Sequence, residues 1–369
     1  MPEFKDPQIP VLRLAAIVAL AIMLGWVLWV GRPILLPLVM ALLLAFVLTE
    51  LAIWIGSIRP LGPRLPGWLR YVIALAIVAV VIWGLARLVT VNIGNVVAAL
   101  PTYQSNLEGV LLSLYERFGI EEPPTLASIR DEIFRGISLQ GLVRGVLTQV
   151  TTGFGTVVIV LTYMAFLLLE QRTFARKLTR LADDEAGAER IAATLHEIND
   201  RVGRYLVLKA TVSLLVGAGS WIVMILIGID FAGFWAVLIF LLNFVPYIGS
   251  FVGVLFPTVL AAVQFAAPGP FLTALVALTA VQVVVGSFVE PRLMGRSLNL
   301  SPLVVLLSLS VWGSLWGIVG ALLCVPMTVV LLIIFARFEV TRPVAILLSQ
   351  DGRIAGEGAR PAEGDGASD

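Results

Sequence analysis

The sequence predicts an all-α, polytopic integral membrane protein of about eight membrane segments, two of them broken or re-entrant helical hairpins, plus a small helical extracytoplasmic insert. Three observations carry this. First, 59% of residues are hydrophobic and 13% charged, with a mean hydropathy of +0.99; soluble domains carry about twice that charged fraction. Second, the apolar residues fall in continuous runs rather than in alternation, which selects helices over a β-barrel. Third, two late runs are too long for a plain crossing: Ala232–Ala266 and Ser301–Phe335 each hold about 35 residues, roughly 50 Å as a straight helix against a hydrocarbon core of about 30 Å.

Charge and composition exclude several functions. A net charge of +1 offers no basic surface for nucleic acid. One cysteine, Cys324, and one histidine, His196, permit no disulfide within the chain and leave a metal centre almost no ligands. No phosphate-binding loop and no nucleophile constellation is present. No enzyme activity, cofactor or built-in ATPase is therefore expected.

Residues 1–91 read as a polar tail and three spans. Val11–Val30 is the first and lacks a small-residue cleavage site, so it is expected to stay as a helix. A tight turn at Gly31, Arg32 and Pro33 leads to the second, Ile34–Ile55. The linker that follows carries Arg59, Arg64 and Arg70 and no acid, which places it in the cytoplasm. Tyr71–Val89 is the third span. Residues 92–150 form the extracytoplasmic insert. Leu107, Val110, Leu111, Leu114 and Phe118 make Thr102–Phe118 an amphipathic helix. Glu121-Glu122-Pro123-Pro124 breaks the chain, and helices are expected at Ser128–Phe134 and Ser138–Val150.

Residues 151–170 hold the fourth span, returning to a basic cytoplasmic stretch with Arg172, Arg176, Lys177 and Arg180. Within 171–204, Asp183–Arg204 shows an apolar stripe of Ile191, Leu195, Ile198 and Val202, a helix suited to the membrane surface or to another subunit. His196 lies beside that stripe and reads as an ordinary surface residue. Residues 205–338 form the broken-helix core, and 339–369 a disordered cytoplasmic tail.

Within the core, Tyr205–Ile227 is the fifth span and ends outside at Asp230. Ala232–Ala266 is interrupted by Pro246, Gly249, Gly253 and Pro257; Ser301–Phe335 is interrupted by Gly313, Gly317, Gly320 and Pro326. Arg292 and Arg296 should be cytoplasmic. They can be so only if Ala232–Ala266 returns to the side it came from, so that Phe271–Val289 ends inside. Ser301–Phe335 must then also fold back, and both termini are cytoplasmic. Two kinked spans remain the competing reading. Paired interrupted segments mark the binding site of secondary transporters.

Polar groups inside spans are the next pointers. Glu50, in the cytoplasmic half of the second span, is a proton-carrier candidate. Asn243, three residues before Pro246, either satisfies backbone freed by the break or binds a polar solute. Gln282 offers an amide. Glu290 and Arg292 form a cap or a gate. Tyr247 and Gly249 complete the first break; Gly313 and Gly317 flank the second, where they permit close helix approach. Arg87 and Lys209 lie near interfaces and read as structural, snorkelling residues.

NFVPYIGSFVG (243–253) and EPRLMGRSLNLSPLVVLLSLSVWGSLWGIVGALLCVPMTVV (290–330) closely resemble the autoinducer-2 exporter family of bacterial and archaeal membrane proteins. The order of parts resembles it along the whole chain. The resemblance implies an inner-membrane exporter of a small polar solute, working as a homo-oligomer, with the solute between the broken segments near Asn243, Pro246, Gln282 and Glu290. Other members are linked to sodium or lithium exchange for protons. Thr49-Glu50 stands where many members have Asn-Pro, adding a carboxylate suited to a monovalent cation or proton. A non-transporting scaffold is the third reading.

Overall fold

A computed structural model describes residues 8–58, 64–118, 139–180, 182, 184–294 and 299–352. The break at 121–124, the helix expected over 128–134, Arg59, Arg296 and most of the tail lie outside the described residues. Among the described residues the architecture is helical, with one bridge, between Leu300 and Ser349.

α1 (Gln8–Val30) and α2 (Arg32–Ser57) meet at Gly31, whose N–H donates to the Val27 carbonyl at 2.8 Å. Arg70 crosses the end of α2: its guanidinium touches Gly56 and its Nε donates to Leu65 O at 3.1 Å. A cation there complements the helix carbonyl end.

α3 (Gly67–Phe118) corrects the expected boundary near Asn92. The third span and the amphipathic helix are one helix of 52 residues. A lone Pro101 removes a single hydrogen bond, and the helical periodicity on either side carries the backbone through it. At about 78 Å this helix is far longer than a bilayer core. α4 (Leu139–Thr179) likewise runs through the expected junction at Thr151, and α5 (Glu185–Ile227) joins the amphipathic helix to the fifth span. Asp184 opens the first turn of α5 by accepting from the Gly187 N–H at 2.7 Å.

The first long run is two helices, α6 (Ala232–Leu242) and α7 (Ile248–Phe265), separated by a turn at 243–247. Trp235 and Phe256 stack with ring centroids 6.0 Å apart. An unbroken helix would hold them about 32 Å apart, so the chain doubles back. At the bend, a Cβ on Gly249 would lie 2.5 Å from Asn243 Cα; only glycine fits there. α8 (Pro268–Val283) follows, then a π-helical turn at Val284–Val289 and α9 (Glu290–Met294).

α10 (Pro302–Arg337) is broken at Gly317, at φ 65° and ψ −145°. Trp312 Nε1 donates to Thr328 Oγ1 at 3.2 Å, whereas a straight helix would separate these residues by about 24 Å. Gly320 lies so close to the Trp312 carbonyl that any Cβ would overlap it. The bend is therefore at Gly317, and Pro326 sits inside the second arm. Ser301 N–H donates to Leu348 O of α11 (Arg342–Leu348) at 3.2 Å, so the start of α10 lies against the end of α11.

Among the described residues six helices are long and apolar enough to cross a membrane: α2, Gly67–Leu88 of α3, α5, α7, Pro268–Met294 and α10; α6, Val18–Val30 and Gly155–Gln171 are shorter apolar helices. The chain is a multi-span membrane protein. It divides into two compact units. One comprises residues 1–45, 156–194 and 300–369. There Trp316 Nε1 donates to Leu28 O of α1 at 3.1 Å, and Arg32 approaches Gly317. The other comprises residues 46–155 and 195–299. Its core is Val212, Val216, Met224, Ile239, Ala261, Ala274 and Leu278, contributed by α5 to α8.

Candidate functional site

The second unit is built along α5. Lys209, Ser213, Gly217 and Ser220 recur at helical spacing, so they share the face that packs on the unit's interior. Lys209 is the clearest correction to the sequence reading. It does not snorkel: its side chain is 8% exposed, and Nζ donates to Glu290 Oε1 at 2.8 Å. Glu290 thus pairs across to α5 rather than with Arg292 two residues on. It stands immediately after the π-helical turn, a feature that recurs at functional sites.

One turn deeper, buried Asn243 donates from Nδ2 to Ser213 Oγ at 3.0 Å. The tip of the α6–α7 hairpin is fixed there. Pro246 O accepts from the Ile248 N–H at 2.7 Å, and Tyr247, at φ 63°, projects outward and is exposed. Deeper still, a Cβ on Gly217 would lie 3.0 Å from Ala236 O. α5 and α6 are therefore in close, antiparallel contact.

At the opposite end of α5, Gln264 near the end of α7 closes the hairpin. Its Nε2 donates to Gly228 O at 2.8 Å, and its Oε1 accepts from the Asp230 N–H at 2.8 Å. α3 reaches the same place: Tyr103 Oη donates to Asp230 Oδ2 at 2.7 Å, and Asn106 Nδ2 to Gln264 O at 3.0 Å. Burial first, then the Asp230 carboxylate, pushes the Tyr103 phenol above its ordinary range. Both ends of the α6–α7 hairpin thus lie at the C-terminal end of α5, and its tip lies beside Ser213, about 22 Å back along the same helix and one turn from Lys209. Arg292, beside Glu290, lies near the level of Lys209.

Four buried polar atoms in this unit have no hydrogen-bond partner: Ser220 Oγ, Trp235 Nε1, Thr258 Oγ1 and Gln282 Nε2. A Cβ on Gly253 would come within 3.1 Å of the Gln282 amide nitrogen, so the glycine leaves that nitrogen its room.

The sequence candidates are distributed as follows. Asn243, Pro246, Tyr247 and Gly249 share the hairpin tip. Glu290 and Arg292 lie near the level of Lys209, and Gln282 of α8 faces Gly253 of α7. Glu50 approaches α5 from α2: a Cβ on Gly203 would meet its Oε1 at 3.0 Å. Gly313 and Gly317 belong to the other unit. Sequence reasoning missed Lys209, Ser213, Ser220, Trp235 and Thr258. The three on α5 carried a signal, polar residues at i, i+4 and i+11 on an otherwise apolar span; Trp235 and Thr258 carried none. Among the described residues no group of three His, Cys, Asp or Glu side chains gathers to hold a metal ion.

The family model described as AI-2E family transporter matches residues 17–339. The AI-2 transport protein TqsA of Escherichia coli K12 is 30% identical over 320 residues, covering 86% of this chain and 89% of its own. A presumed transport protein of Borreliella burgdorferi is 32% identical over 251 residues, 68% of this chain and 67% of its own. The presumed transport protein YhhT of Escherichia coli K12 is 29% identical over 321 residues, 85% of this chain and 88% of its own.

Proposed function

The chain belongs to the AI-2E transporter family, and from that membership we propose that it exports a small polar solute, most like autoinducer-2, across the bacterial inner membrane. The observation that carries this reading is the α6–α7 hairpin. Gln264 ties its base to the C-terminal end of α5 while Asn243 ties its tip to Ser213, about 22 Å back along that helix. In a bilayer such a hairpin is re-entrant. Its unwound tip is tolerated at membrane depth only against protein or a water-filled path. Asn243, Gln282, Glu290 and Lys209 line that path in the second unit. In the first unit the α10 hairpin, broken at Gly317, has its ends on the cytoplasmic side, as do both termini. The parts of α3 and α4 beyond the bilayer are contact surfaces for other copies in a homo-oligomer.

The test is solute release from proteoliposomes loaded with autoinducer-2. Release above protein-free vesicles is expected, and its loss in Gly317→Pro while membrane insertion persists. No release above protein-free vesicles rejects the reading.

A second reading, cation/proton exchange, is favoured by one observation: the Glu50 carboxylate lies against Gly203 within the helical bundle. Under it Glu50→Gln abolishes pH-driven sodium flux; under export, solute release survives that change.

A further inference from the structure

The four unpartnered polar atoms lie at one depth. Along the antiparallel pair α5 and α6, Ser213 meets Asn243, and Gly217 meets Ala236 and Phe240. Ser220 is therefore level with residues 233–237, which include Trp235. Between α5 and α8, Lys209 meets Glu290 and Gly219 meets Val281, so Ser220 is also about one turn from Gln282. Between α6 and α7, Ile239 meets Gly253, itself against Gln282, and Trp235 stacks on Phe256, two residues from Thr258. All four positions thus fall in a slab about 10 Å thick, roughly midway between Lys209 and Asp230.

The stretches that hold the four groups bring no charge to this level. α6, α7 and α8 carry no ionisable side chain, and along 206–227 Lys209 is the only one. It is about 16 Å from Ser220 along the helix and already paired with Glu290. Buried polar groups left without partners are costly and rare in folded proteins. Here four are held in one layer, with Ser220 at 1% and Thr258 at 3% exposure. An indole N–H and an amide NH2 only donate, while two hydroxyls both donate and accept. That set matches a neutral solute rich in carbonyl and hydroxyl oxygens. It suits neither an anion, which would want a cation, nor a bare cation, which would want carboxylates or a ring of carbonyls.

We propose that Ser220, Trp235, Thr258 and Gln282 form the hydrogen-bonding layer that receives a neutral hydroxy- or keto-compound halfway along the second unit. The proposal rests on the export reading for its purpose and names the chemistry of the cargo.

The test uses the purified full chain and does not depend on flux. Ribitol, a neutral pentitol, is the probe, and ribonate, its acidic counterpart, the control; the readout is the ligand-induced rise in Tm. Ser220→Ala, Trp235→Phe, Thr258→Val and Gln282→Met each remove one unpartnered group. Ser220→Ala, Thr258→Val and Gln282→Met lose no existing bond and little volume, so the unliganded Tm should be unchanged or raised. Trp235→Phe also loses ring packing on Phe256, and all four should weaken the ribitol response about tenfold. Three results would overturn the proposal: no response of the parent chain to ribitol, an equal response to ribonate, or a full ribitol response in all four variants. A lowered unliganded Tm in all three of Ser220→Ala, Thr258→Val and Gln282→Met would also overturn it, since it would show those groups to be bonded within the fold. Failure of export alone would appear differently, as a ribitol response without release from vesicles.

Discussion

At Gly317 a single backbone conformation makes a hairpin possible. With φ 65° and ψ −145° it lies in a region open essentially to glycine alone. Gly317→Ala should cost about 1–3 kcal/mol, read as a lower Tm of the detergent-solubilised protein, although the added methyl has room beside Arg32. Tyr247, at the other tip, makes the converse case. Its φ is 63° with an ordinary Cβ, and its side chain is exposed. Tyr247→Gly removes that local strain, about 1 kcal/mol, so its Tm should not fall, whereas Tyr247→Val, β-branched at positive φ, should lower it. The sequence marked both stretches as breaks because proline and glycine cluster there. It could not say which glycine turns the chain, because Gly313, Gly317 and Gly320 differ only in what the returning arm brings against them.

At the scale of the element, the hairpin ends are held by polar staples that hydropathy hides. Gln264 makes two hydrogen bonds to backbone at 228–230 and accepts a third, from Asn106, at its own carbonyl. Gln264→Leu keeps the volume and loses the first two bonds, a cost of about 1–3 kcal/mol. Protease sensitivity should rise at the base of the α6–α7 hairpin while the tip, held by Asn243 and Ser213, stays protected. The Lys209–Glu290 pair obeys a different rule. A buried pair adds little net stability, but removing one partner strands the other charge. Glu290 keeps some solvent, so Lys209→Met alone should cost about 2–3 kcal/mol rather than the full buried-charge penalty. Lys209→Met with Glu290→Gln should recover most of that, giving non-additive Tm changes in a double-mutant cycle. That pairing was not legible in the sequence: Lys209 sits four residues into an apolar run, where snorkelling is the default, and its partner is 81 positions away. The lengths of α3, α4 and α5 were also hidden, for a related reason. A change from apolar to amphipathic pattern marks where a helix leaves the bilayer, not where it ends.

At the scale of the whole molecule, the decisive quantity is which side each loop faces. Composition alone made the chain a membrane protein, and arginine placement alone asked for Arg292 on the cytoplasmic side. In the second unit, Gly228 and Asp230 bond to Gln264 just beyond the C-terminal end of α5, and Glu290 bonds to Lys209 about 28 Å back along that helix. Under the proposed topology α5 and α8 cross in opposite directions and bracket a hairpin that makes no net crossing. If Ala232–Ala266 crossed the membrane once, Asp230 and Ala267 would face opposite sides, and Gln264 could not bond to both Gly228 and Asp230. In the first unit, Ser301 and Leu348 are joined, so residues 301 and 348 face one side. Because Cys324 is fully buried, replacing it with serine gives a clean background for single cysteines. A cysteine at Asp230 or Gly269 should react with an impermeant maleimide added to intact cells. Cysteines at Arg292 and Arg342 should react only after permeabilisation. Labelling of 292 from outside would mean that 232–266 crosses once, and the re-entrant path past Asn243 and Gln282 would be lost with it.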